Sequence, residues 1–156
     1  MRRIWAFAVV AGASLFPFGA HAIELTKSKF ESGLRAYVKE VPQCAGAKLS
    51  AGKAGAGGWL YQFKNSAELE VRVLADGQQI RQIEVTALDR NESALQDMLC
   101  ATIALMRSIQ PEYVTTSDAV RDAKHLWENA GDRPFTKAFY FDTFIAQLTP
   151  VMLTVK

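Results

Sequence analysis

Histidine is nearly missing from this chain: of its 156 residues two are histidine, and cysteine is equally scarce at two. Those shortages exclude several chemistries together. His21 lies within a stretch that reads as removable, which leaves His125 as the one imidazole of the remainder. A histidine-based zinc site then has no second ligand of its kind, and a Cys–His or Ser–His pair has its base next to no motif. No serine stands in a Gly-x-Ser-x-Gly elbow, and no Cys-x-x-Cys is present. No catalytic, cofactor-binding or metal-ligating residues are therefore assigned. His125 reads as a residue on the border of a helix.

Two further features are lacking. No apolar run reaches the roughly 20 residues a spanning helix needs, and there is no excess of one charge once the N-terminal stretch is set aside. Arg2 and Arg3, an apolar run from Ile4 to Phe18, and Ala20-His21-Ala22 form the three parts of a secretory signal peptide, with cleavage expected after Ala22. Removing residues 1–22 takes away two arginines and no acids, leaving sixteen residues of each sign. A near-neutral chain gives no electrostatic reason to expect nucleic acid or an anionic membrane as partner. The expectation is one domain over residues 23–156, periplasmic or secreted, with no membrane anchor after cleavage.

What is present organises that domain. Both cysteines survive export, and an even count in an oxidising compartment argues for a Cys44–Cys100 bridge. Cys100 belongs to a predicted helix from Asp89 to Ile109, in which Leu95, Met98, Leu99, Thr102, Met106 and Ile109 recur at spacings of three and four. Asp89 with Glu92 fits a capping box, and Pro111 ends the run. Cys100 lies about 140° round the wheel from Leu95, on the flank of the stripe, where it can reach a loop carrying Cys44.

In chain order, Ser28 and Glu31 suggest the start of a first helix, with Phe30, Leu34, Tyr37, Val38 and Val41 on its inner face and Pro42 at its end. Gln43 to Gly58 is rich in Gly, Ala, Ser and Lys. A phosphate cradle fails there, because Gly46 to Gly52 is one residue too long for the P-loop spacing and Ala54 follows Lys53 where Ser or Thr is needed, so it reads as a flexible connector. Trp59 to Phe63 reads as a strand, with Asn65 and Ser66 as a turn. Leu69, Val71 and Val73 alternate with polar residues, as do Ile83, Val85 and Ala87, which predicts a hairpin with one dry and one wet face. A three-residue loop at Asp76 to Gln78 keeps the apolar sets together and places Leu74 opposite Ile80 on the wet face; a bulge near the turn would instead rotate Ile80 inward.

Beyond the central helix, Thr116 or Ser117 caps another one, Gly131 fits a left-handed stop, and Ala119, Val120, Ala123, Leu126, Trp127 and Ala130 form its stripe. Phe135 to Phe141 reads as a strand whose Phe135, Phe139 and Phe141 share a face. Phe144 to Leu148 with Val151 to Val155 supply one more, bent or split at Pro150. The predicted class is α+β: three helices and an antiparallel sheet of about five strands in the order α-βββ-αα-ββ.

Function follows less directly. Glu70, Glu84, Asp118 and Asp122 fall where solvated roles suffice, so a carboxylate hydrolase is an alternative that no pairing supports. Most aromatics after residue 22 fall in Trp59–Phe63 and Phe135–Phe144; adjacent in a sheet, these strands would form one sticky face. The expectation is a non-enzymatic protein that binds another exported or envelope protein, as inhibitor, immunity, chaperone or assembly factor. Its candidate contacts are Tyr61, Tyr140 and Phe144, with Leu74 and Ile80 at the hairpin tip. A small-molecule or lipid carrier is the other alternative. The element order is similar to small chaperone-like and adaptor-like α+β domains, a likeness that no motif carries and that places no residue.

Overall fold

A computed structural model describes residues 23–89 and 91–156. The expected signal peptide and its cleavage site at Ala22 lie outside the described residues. Helix α1 runs Lys27–Glu40 and is followed by a single 3-10 turn, Pro42–Cys44. Strands β1 (Lys48–Leu49), β2 (Lys53–Gly55), β3 (Gly58–Lys64), β4 (Glu68–Asp76) and β5 (Gln79–Ala87) come next. Helices α2 (Glu92–Ile109) and α3 (Thr116–Glu128) precede β6 (Phe135–Phe139), β7 (Asp142–Leu148) and β8 (Val151–Val155). The class is α+β with three helices, but the antiparallel sheet has eight strands rather than about five.

Two misreadings account for the difference. The stretch Gln43–Gly58 is not a plain connector: β1 and β2 both pair antiparallel with β3, Leu49 opposite Phe63 and Lys53 opposite Leu60. Arg35 pins that stretch by donating to the carbonyls of Leu49 and Ser50, and Gly52 lies so close to the Tyr61 ring that a Cβ there would fall 2.6 Å from it. Gly52, and Gly58 against the Val73 backbone, serve close approach rather than mobility. The C-terminal stretch divides at a turn containing the cis Thr149–Pro150 bond, giving β7 and β8 as two paired strands.

The strand order is β1-β3-β4-β5-β8-β7-β6, with β2 also on β3. The last strand is thus inserted between β5 and β7. Inward residues follow the period of two: Tyr61 and Phe63, Leu69, Val71 and Val73, Ile83 and Val85, Leu153 and Val155, all at most 1% exposed. The order also separates the aromatic strands β3 and β6 by β4, β5, β8 and β7, so they form no common face.

Helix α2 lies at the centre of the helical layer, and its burial extends well beyond the expected stripe. Ala94, Ala101, Ile103, Ala104 and Leu105 are buried with Met98 and Met106, whereas Leu95 is 39% exposed. Small residues explain this, since they let α1 approach closely: a Cβ on Gly33 would meet the Ser108 Cβ at 3.3 Å. The helix caps sit near, not at, the expected residues. Thr26 caps α1 in place of Ser28, Asn91 caps α2 in place of Asp89, and Thr115 caps α3 in place of Thr116 or Ser117. Helix α3 ends on Asn129 in a right-handed conformation, not on a left-handed Gly131.

The Cys44–Cys100 disulfide is formed, with Cα atoms 5.3 Å apart and both residues at most 1% exposed. It ties the 3-10 turn behind α1 to the middle of α2. Among the described residues no helix is long and apolar enough to cross a membrane.

Candidate functional site

The turn between β6 and β7 carries the main exposed aromatic feature. Phe139 pairs with Asp142, so Tyr140 and Phe141 are the two turn residues. Tyr140 has φ +55°, and it is the one non-glycine residue with positive φ among those described. The first position of such a turn, with the second at negative φ, favours glycine. Tyrosine there costs on the order of 1–2 kcal/mol of backbone strain, yet both turn residues present large rings to solvent, 56% and 70% exposed.

Tyr113, from the connection between α2 and α3 and 60% exposed, completes the cluster. Its ring lies 6.1 Å from Tyr140 and 6.3 Å from Phe141, the second contact nearly perpendicular at 80°. The Tyr140 hydroxyl donates to the Tyr113 carbonyl at 3.1 Å. Beneath, Phe139 stands edge-on to Tyr140 and to Phe144, joining the cluster to the core.

Beside the cluster opens a groove of about 750 Å³. One wall is α1 with the two residues Glu24 and Leu25 ahead of it, and the other is the end of α2, Pro111 to Tyr113 and Phe141. Gly33 and Ser108 lie where the two helices meet. Gln110, 6% exposed, donates through Nε2 to Asp142 Oδ2 at 2.7 Å and so fixes the end of α2 to the start of β7. Gln110 Oε1 is buried with no hydrogen-bond partner. The Arg107 guanidinium stacks 4.5 Å over the Tyr37 ring and donates to the Pro111 carbonyl. It stiffens the wall from behind.

The residues expected to make contacts are scattered. Tyr140 is in the cluster. Phe144 is 1% exposed and belongs to the core beneath it, and Tyr61 is 1% exposed on β3 at the far side of the sheet. Tyr61 donates to Glu31 Oε1 at 2.8 Å, and burial, then this bond, push its hydroxyl far above the usual phenol range. At the hairpin tip, Leu74 faces Gln82 and Ala75 faces Ile80, because β5 carries one extra residue, Arg81, at a bulge. The turn is the two residues Gly77 and Gln78, not three. The bulge turns Ile80 inward to 0% exposure, with its N–H donating to the Leu25 carbonyl, and Leu74 is half-buried alone. Of the two arrangements open at this tip, the structure has the bulge that turns Ile80 inward, so Leu74 and Ile80 form no exposed pair.

Tyr113 and Phe141 went unrecognised as surface residues. The detectable signal was two bulky aromatics, Tyr140 and Phe141, ahead of Asp142, at a position where hairpin chemistry prefers glycine.

His125 is exposed on α3 and meets the Phe135 ring edge-on. Among the described residues no group of three or more His, Cys, Asp or Glu side chains is arranged to hold a metal ion. The two buried carboxylates serve the fold: Asp97 accepts from Asn65 Nδ2 and the Ala67 N–H, and Asp142 accepts from Gln110. Comparison with protein-family models, curated proteins and solved structures gave no match.

Proposed function

We propose that this is an exported, non-enzymatic binding protein that docks another exported or envelope protein, as inhibitor, immunity, chaperone or assembly factor, through Tyr113, Tyr140 and Phe141. The observation that supports this most is Tyr140, a bulky residue kept in a left-handed conformation and aimed at solvent. Backbone strain with no stabilising burial to offset it is a mark of surfaces retained for contact. The ring cluster is rigid, held by the Tyr140–Tyr113 bond and by Phe139 below. Rigid aromatic anchors lose little conformational freedom on binding.

The test is co-purification with the tagged full chain from cells that express it. A Tyr140→Gly, Phe141→Ser variant is expected to lose its partner, while Leu88→Ser, at an exposed residue ahead of α2, keeps it. Because glycine relieves the positive φ, Tyr140→Gly alone is expected to change stability by less than about 1 kcal/mol, the strain relief offsetting the lost hydroxyl bond. Equal recovery of partner by the double variant refutes the reading. A small-molecule carrier is the second reading, favoured by a groove volume inside the usual ligand range of about 300–1,000 Å³. It requires a bound apolar compound in native mass spectra.

A further inference from the structure

Residues 23–26, ahead of α1, are seated as firmly as the core. Ile23 is 0% exposed and Leu25 4%, and both belong to the main hydrophobic cluster, while Glu24 between them faces solvent. The chain bends at Glu24, where the Leu25 N–H donates back to the Ile23 carbonyl at 2.6 Å. That carbonyl also accepts from Gln79 Nε2, and the Leu25 carbonyl accepts from the Ile80 N–H. Thr26 then bridges to Gln79 and caps α1. These four residues form a short strap, bent at Glu24, that is fastened to the start of β5 and leads directly into α1.

The strap bears on a covalent event. The pattern Ala20-His21-Ala22 puts the expected leader cut at the Ala22–Ile23 bond, so the residue that follows this bond is the fully buried Ile23. A peptidase holds the residues on both sides of the bond it cuts extended in its cleft. A folded substrate is therefore cut only through the fraction of molecules in which those residues are locally undocked. Undocking here exposes Ile23 and Leu25 and breaks the strap's bonds to Gln79 and Ile80 at the same time. We propose, taking residues 1–22 as a cleaved leader, that the Ala22–Ile23 bond is a processing site that the fold itself closes. It is open to a signal peptidase before residues 23–26 dock on β5 and shut afterwards. The reaction is a hydrolysis in which one water adds across the bond, leaving a carboxylate on Ala22 and an ammonium group on Ile23. Docking at Tyr140 plays no part in it.

The experiment synthesises the full chain in an oxidising cell-free system, with purified signal peptidase in detergent either present throughout or added once folding is complete. A synthetic peptide of residues 13–32 reports the activity of the peptidase in both arms. Cutting after Ala22, read by mass, is expected in the first arm and to be at least about tenfold slower in the second. Ile23→Ala shrinks the buried anchor, and Gln79→Ala removes one donor to the Ile23 carbonyl without touching the leader. Each should speed the cutting of the folded chain several-fold, with circular dichroism checking that the variants fold. Equal rates in the two arms overturn the proposal, and that comparison needs no variant. It is overturned as well if both folded variants stay as resistant as the native chain, since the protection then comes from elsewhere. If neither the chain nor the peptide is cut after Ala22, the leader reading falls and the proposal with it. If the peptide is cut there while the two arms match, the leader reading stands and only the closure falls.

Discussion

The Asp97 carboxylate is 1% exposed on α2, and its two oxygens accept from Asn65 Nδ2 at 2.9 Å and the Ala67 N–H at 2.7 Å. It therefore clamps the β3–β4 turn to the central helix. Asp97→Ala leaves both donors buried or half-buried without a partner and is expected to cost roughly 1–3 kcal/mol in urea unfolding. Glu31 acts by charge. The Lys27 hydrogen bond, then the Tyr61 hydroxyl and the nearby charges, hold its carboxyl below the ordinary value against the opposing pull of burial. A carboxylate with a lowered folded pKa adds stability above its unfolded pKa, and that stability is lost as pH falls through the folded value. The difference in stability between the native chain and Lys27→Ala should accordingly be full near neutrality and vanish in acid, as checked by denaturant midpoints at stepped pH. A difference that grows on acidification would contradict this arrangement. Neither role could be read beforehand. Asp97 sits between Gln96 and Met98 on a helix, and nothing local says that a turn thirty residues earlier will fold against it.

At the scale of elements, the disulfide is the largest single tie between segments distant in sequence. Its cysteines are 56 positions apart, which in the chain-entropy estimate corresponds to about 4 kcal/mol. Cys44→Ala with Cys100→Ala is expected to lose that amount in denaturant unfolding; a loss under about 1 kcal/mol would mean that the unfolded chain is already confined there. The bridge was legible because two cysteines, with no Cys-x-x-Cys between them, leave few options. The three helices and the alternation of β4 and β5 were legible because apolar spacing reports burial directly. Caps were missed by a residue or two, since Thr26, Asn91 and Thr115 compete with equally suitable neighbours such as Ser28, Asp89 and Ser117. Leu95 was misplaced because the stripe was assumed to have one buried side, whereas Ala94, Ala101 and Ala104 are buried as well and Ser108 meets Gly33 of α1 closely. The short strands β1 and β2 left no alternation to detect, being two and three residues long.

For the molecule as a whole, the candidate site was legible only through Tyr140. Tyr61, Phe144 and Ile80 look like surface candidates in sequence because aromatic and branched residues suit either a core or a contact. Which they become depends on strand order and on one bulge. Strand order in turn depends on β8, which the sequence presents last and the sheet places between β5 and β7. Deleting residues 151–156 should therefore part the sheet into two halves rather than fray one end, and is expected to abolish cooperative thermal unfolding as followed by circular dichroism. The same insertion sets a timetable for a chain that leaves the ribosome N-terminus first. Everything up to β5 emerges with an unsealed seam, and the seam closes only when the final few residues arrive. During that interval β5 is an adhesive edge, and the speed at which the chain is made, as well as the intrinsic folding rate, fixes how long it stays open to wrong neighbours.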